Sequence, residues 1–123
     1  MTTLSHYKKY WDEREARDKR ARERLRQKAI RNARQLARIL AEEFPVKKVV
    51  LFGSVLEKEG FKEDSDIDIA VEGLPKGAYF TAVARLMMES PFEVDLKPLE
   101  DVDDLLRKNI ARGRVLYEKR AYS

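Results

Sequence analysis

Leu51-Phe52-Gly53-Ser54, followed after residues 55–65 by Asp66-Ile67-Asp68-Ile69, is the stretch on which the reading of this chain turns. It predicts a strand, a tight Gly-Ser turn, a loop and a second strand. Side chains alternate along a strand, so Asp66 and Asp68 share one face, with Cα atoms roughly 6.5–7 Å apart. Ile67 and Ile69 then face a core. Neighbouring carboxylates repel unless a cation lies between them. Hard oxygen ligands on a stiff element suit Mg²⁺, with substrate phosphate completing its shell. Gly53 lets the backbone turn sharply and approach a ligand. Ser54 adds a hydroxyl beside main-chain N–H groups that form an anion-binding concavity. A phosphate cradle beside an Asp-x-Asp clamp is equipment for in-line displacement at phosphorus with two metal ions.

Val49-Val50-Leu51-Phe52-Gly53-Ser54, taken with Asp64-Ser65-Asp66-Ile67-Asp68-Ile69-Ala70-Val71, resembles the minimal nucleotidyltransferases of the DNA polymerase beta superfamily, the antitoxin-type partners of HEPN-domain proteins. The resemblance covers about residues 33–118 and includes the ending Ile110 to Glu118. It implies a third carboxylate on a later strand. Within Phe92-Glu93-Val94-Asp95-Leu96 the resemblance points to Asp95, whose strand position matches the family, with Glu93 in reserve. It also implies two Mg²⁺ on Asp66, Asp68 and Asp95, which are the expected catalytic and metal residues. Gly53, Ser54, Ser65 and Lys58 are expected to hold the nucleotide. The implied reaction moves AMP from ATP to a protein hydroxyl, a tyrosine of a HEPN toxin, with Asp95 drawing the proton. One position departs from the family pattern. Glu57 stands where a basic residue is common, and Lys58 substitutes if the loop shifts by one residue. The alternative function is a non-catalytic module of the same fold that sequesters its partner by contact.

Residues 5–43 carry neither Gly nor Pro and predict one long helix. Leu25, Ala29, Ala33, Leu36 and Leu40, with Ile39 beside them, form its apolar stripe. From Asp12 to Arg24 only Ala16 and Ala21 are uncharged, so this part is expected to project into solvent or against a partner. Strands are expected over 46–52, 66–72 and 92–97, helices over 77–89 and about 101–112, and a short terminal strand over 114–118. Gly113 is the helix-ending candidate. The expected fold is α/β. A small mixed sheet has helices packed on one side, as a polymerase-beta-like nucleotidyltransferase core preceded by a long N-terminal helix. The expected division is a basic helical extension at 1–32 and a nucleotidyltransferase domain at 33–123. That leaves no room for an acceptor-holding domain, so the acceptor is expected from a dimer mate or a separate protein.

Charge supports this division. Residues 1–48 hold 15 Lys and Arg against 7 Asp and Glu, whereas residues 49–123 hold 11 against 15. Acidic residues interrupt the basic run at Asp12, Glu13, Glu15, Asp18 and Glu23, which argues against a nucleic-acid partner. The aromatic cluster of Tyr7, Tyr10 and Trp11 is expected to pack on the body or across a homodimer. His6 is the only histidine, so a Ser-His-Asp arrangement has no support. The chain has no Cys and no apolar run near the ~20 residues of a membrane span. A soluble cytoplasmic protein is expected, with no membrane partner.

Overall fold

The computed structural model of the chain describes residues 3–120. Helix α1 runs unbroken from Thr3 to Glu43. It is followed by β1 (Lys48–Phe52), β2 (Ile67–Glu72), α2 (Tyr79–Glu89), β3 (Val94–Pro98), α3 (Asp104–Ala111) and β4 (Arg114–Glu118). The expected element order is therefore found. The sheet order is β3-β2-β1-β4; β1 runs antiparallel to β2 and β4, and β2 runs parallel to β3. No helix among the described residues is long and apolar enough to cross a membrane.

Alternation sorts the sheet into two faces. Val49, Leu51, Ile67, Ile69, Val71 and Leu96 pack with Ala29, Ala33, Leu36 and Leu40 of α1 and with Ala82 and Leu86 of α2. On the opposite face Val50, Phe52 and Ala70 meet Ile110 of α3. Helices on one side therefore describes α1 and α2, while the short α3 crosses the other face. The Asp103 carboxylate caps α3, accepting the Leu106 N–H at 2.8 Å.

Several boundaries shift for local reasons. The strand expected from residue 46 starts at Lys48, because the Val46 N–H donates to Phe44 O in the turn after α1. β2 starts at Ile67, which leaves Asp66 as the last residue of the loop. A 3-10 turn at Lys76–Ala78 precedes α2. β3 starts at Val94, since the Ser90 hydroxyl accepts the Phe92 N–H at 3.0 Å and holds that segment in a turn. Gly113 does not end α3 in the left-handed region; among the described residues only Gly53 and Gly73 have positive φ. Its smallness is needed for another reason: a Cβ there would lie 2.9 Å from Val50 Cγ1, where β4 comes in against β1.

Packing of α1 on the core begins at the partly buried Leu25; Arg26, Ala29, Ile30, Asn32, Ala33, Leu36, Ala37, Ile39 and Leu40 are buried. The helix passes straight through the boundary expected between residues 32 and 33. Deleting residues 1–21 should leave the thermal midpoint nearly unchanged, because residues 3–21 bury almost nothing. Deleting residues 1–32 also strips Ala29 and Ile30 from the core. A buried Ile alone contributes roughly 1.5–3 kcal/mol, so this deletion should lower the midpoint by several degrees or unfold the chain. Thermal melts by circular dichroism compare the two.

Candidate functional site

The parallel register pairs Asp68 of β2 with Asp95 of β3. Ile67, Ile69 and Leu96 point into the core, so the two aspartates share the opposite face. Burial pushes the Asp68 carboxyl up from its ordinary 3.8 to about 6, helped by the negative charges of Asp95 and then Asp66; Lys97 opposes the shift. Asp66 is exposed at the loop end and reaches the site through its charge. Glu93 is exposed, and only its main-chain carbonyl is engaged, accepting the Ile67 N–H at 2.9 Å.

Gly53 opens a 3-10 turn, Gly53–Leu56, at the end of β1. Its φ of 83° lies in the region that favours glycine, and a Cβ there would run into the Asp68 carboxylate. The turn therefore lies directly against the carboxylates. Ser54 is half-buried in it, and its main-chain carbonyl accepts the Glu57 N–H at 3.0 Å. Ser65 is engaged in its own turn: its hydroxyl accepts the Lys62 N–H at 2.9 Å, and its N–H donates to Lys62 O at 3.0 Å. Lys58 is exposed, and its charge is felt at Glu23 of α1 rather than at Asp68. The Glu57 side chain folds over Gly60, where an added Cβ would lie 2.9 Å from Glu57 Cβ.

Two residues with a bearing on the site were not singled out from the sequence. Lys97 lies two residues beyond Asp95 on the same strand face, and its Nζ is 3.5 Å from Asp95 Oδ2. The alternation that selects Asp95 also selects Lys97. Arg26 donates to the Val55 carbonyl at 3.1 Å. Its signal was a charged residue on the buried stripe of α1.

Among the described residues no group of three or more His, Cys, Asp or Glu is gathered as a metal-binding cluster. The donor chemistry nevertheless fits a hard divalent cation. Asp68 and Asp95 are adjacent carboxylates, and the raised Asp68 carboxyl registers negative charge that Lys97 only partly offsets.

A family model described as polymerase beta, nucleotidyltransferase matches residues 34–122. Among solved structures, a chain of the toxin-antitoxin complex MntA-HepT is 25% identical, covering 72% of this chain and 71% of that one, with a TM-score of 0.56. A chain of a toxin-antitoxin complex with AMP-PNP is 26% identical over 72% of this chain and 75% of that one, with a TM-score of 0.61. A chain from the complex of a tri-AMPylated Shewanella oneidensis HEPN toxin with MNT antitoxin shares the fold at 24% identity, covering 74% and 73%, with a TM-score of 0.56. No curated protein matches the chain.

The raised Asp68 carboxyl has a signed consequence for the metal-free protein. Between about pH 4 and 6 the native state keeps a proton that the unfolded chain gives up, so this contribution to stability is present below pH 4 and lost as pH rises to 6. Asp68→Asn should match the wild type at pH 4 and exceed it above pH 6. After allowance for solvent screening the gain is about 1 kcal/mol, or about 3 °C in thermal midpoint. Melts in chelator across pH 4–7.5 read it, and a constant offset at every pH would refute the electrostatic cause.

Proposed function

The chain belongs to the polymerase beta nucleotidyltransferase family, and from that membership we propose that it is a Mg²⁺-dependent transferase moving AMP from ATP onto a protein hydroxyl. The proposed acceptor is a tyrosine of a HEPN-domain toxin, which makes this chain the antitoxin of the pair. The observation that carries the reading is the in-register pair Asp68 and Asp95, set against the Gly53 turn on an open sheet face. The ATP analogue in a similar toxin-antitoxin complex supports the donor, and the MntA-HepT likeness supports the partner.

In this reading Gly53 and Ser54 receive the triphosphate through main-chain N–H groups and the serine hydroxyl. Asp66, Asp68 and Asp95 would hold the divalent cations, two on the sequence reading, which when bound supply neutralising charge at the reacting phosphate. Asp95 orients the acceptor hydroxyl and takes its proton. A bond forms between the acceptor oxygen and the α-phosphorus, and the bond to the bridging oxygen of pyrophosphate breaks. Pyrophosphate leaves with that electron pair. The site's shape suits a separate acceptor. β3 is an edge strand, so Asp95 stands at the margin of the sheet, while α3 closes over the β1 side.

The test uses labelled ATP, Mg²⁺ and a HEPN partner. Label should pass to the partner, and Asp68→Asn or Asp95→Asn should each reduce transfer at least a thousandfold while the variants stay folded. Undiminished transfer by either variant would sink the assignment. Isothermal titration of the wild type with ATP and Mg²⁺ should release heat. Silence there, with the partner still bound, would favour the non-catalytic module.

A further inference from the structure

The charged side chains buried among the described residues reduce to one, Arg26, at 9% exposure. Its Nε and Nη2 each donate to a Glu23 carboxylate oxygen at 2.9 Å, a two-pronged pair within α1. Its Nη1 donates at 3.1 Å to the main-chain carbonyl of Val55, 29 residues away. Val55 is itself fully buried and lies inside the Gly53–Leu56 turn. A second tie joins the same elements, with Lys19 Nζ 3.6 Å from Glu59. Lys19, Glu23 and Arg26 fall on one stripe of α1 at helical spacing, so the helix runs along the loop that follows the turn.

Stability alone does not account for a guanidinium here. Buried ion pairs commonly give no more stability than apolar side chains of similar volume, and the neighbours Ala29 and Ile30 are apolar. What the fork supplies is direction: a planar donor held by Glu23 fixes where one carbonyl of the turn points. Main-chain carbonyl and N–H dipoles in a 3-10 turn are aligned. Fixing Val55 O against α1 therefore restrains the turn whose Gly53 end lies against the Asp68 carboxylate.

We infer that Arg26 is a positioning residue for the nucleotide, clamping the Gly53–Leu56 turn from behind so that its N–H groups stay aimed at the triphosphate. The inference rests on the transferase reading for the identity of the ligand. The clamp itself rests only on the geometry above. It makes the inner half of the α1 extension a part of the site, whereas residues before Lys19 stay outside it.

Hydrogen exchange by mass spectrometry and ATP·Mg²⁺ affinity, both on the full chain, test the proposal. In Arg26→Gln, amide exchange across residues 54–57 should quicken at least tenfold while that of β3 and α2 is unchanged. The dissociation constant for ATP·Mg²⁺ should rise about tenfold. Glu23→Gln, at a partly exposed position, should move both readouts the same way by about threefold, and it decides the matter if Arg26→Gln does not fold. Arg26→Lys keeps the charge but loses the fork and should restore neither readout fully. Unchanged exchange at 54–57, or a rise spread evenly over the whole domain, would overturn the clamp. Faster exchange with unchanged affinity would overturn its role toward the nucleotide. A wild type that binds no ATP would refute the transferase reading instead, and the exchange data would still decide the clamp.

Discussion

Everything at the candidate site depends on the in-register parallel pairing of β2 with β3. Parallel neighbours need a crossover connection, and α2 supplies it on the same face as α1. On the opposite face α3 covers Val50, Phe52 and Ala70, and Asp68 and Asp95 stand beside that cluster toward the β3 edge. Register is enforced by burial: Ile67, Ile69, Val71 and Leu96 all lie within the core. A slip of one residue would expose these side chains and drive the carboxylates inward. Each large apolar side chain contributes roughly 1.5–3 kcal/mol. Keeping Asp68 ionised, half-buried and beside other carboxylates costs about 1 kcal/mol after screening, burial being the larger part. The apolar face wins that contest several times over, and the crowded carboxylates persist because of it.

The parts legible in the sequence are those fixed by periodicity. Alternation about Ile67, Ile69 and Leu96 placed Asp68 and Asp95 on one face; Glu93 has the same parity as Asp95 and is set apart only because β3 starts at Val94. The long helix and the closing strand were equally readable, since each has a clean pattern and clear punctuation. What escaped depended on partners distant in the chain. Asp66 falls off the strand because pairing begins only where the Ile67 N–H finds Glu93 O. Ile110 gives no sign in the sequence that it will cover Val50 and Phe52 from the other side. Gly113 reads as a helix-ending glycine, yet its small size serves the close approach of β4 to β1. Arg26 reads as one more charge on a highly charged helix until the Val55 carbonyl is known to lie opposite it.

The loop shows how the family departure at Glu57 is accommodated. An acid facing a triphosphate would oppose it, but Glu57 lies over Gly60 and Lys58 registers at Glu23. Glu59 of the same loop pairs with Lys19 of α1, and Phe61 packs edge-on against Phe92. On the proposed reading the phosphate-facing chemistry is left to the main chain of the Gly53 turn and to Ser54.

That division of labour has an electrostatic corollary for the proposed reaction. On the proposed reading the negative charges of Asp66, Asp68 and Asp95 act together at the site, and Lys97, 3.5 Å from Asp95, offsets them only in part. Main-chain dipoles are partial charges and cannot offset both this excess and a triphosphate at close range. Binding of ATP without divalent cations is therefore disfavoured from both sides of the contact. With cations between them, the same carboxylates become attractive to phosphate. On the proposed reading, nucleotide affinity should follow divalent cation concentration far more steeply than it follows monovalent salt, because monovalent ions screen the excess without bridging it.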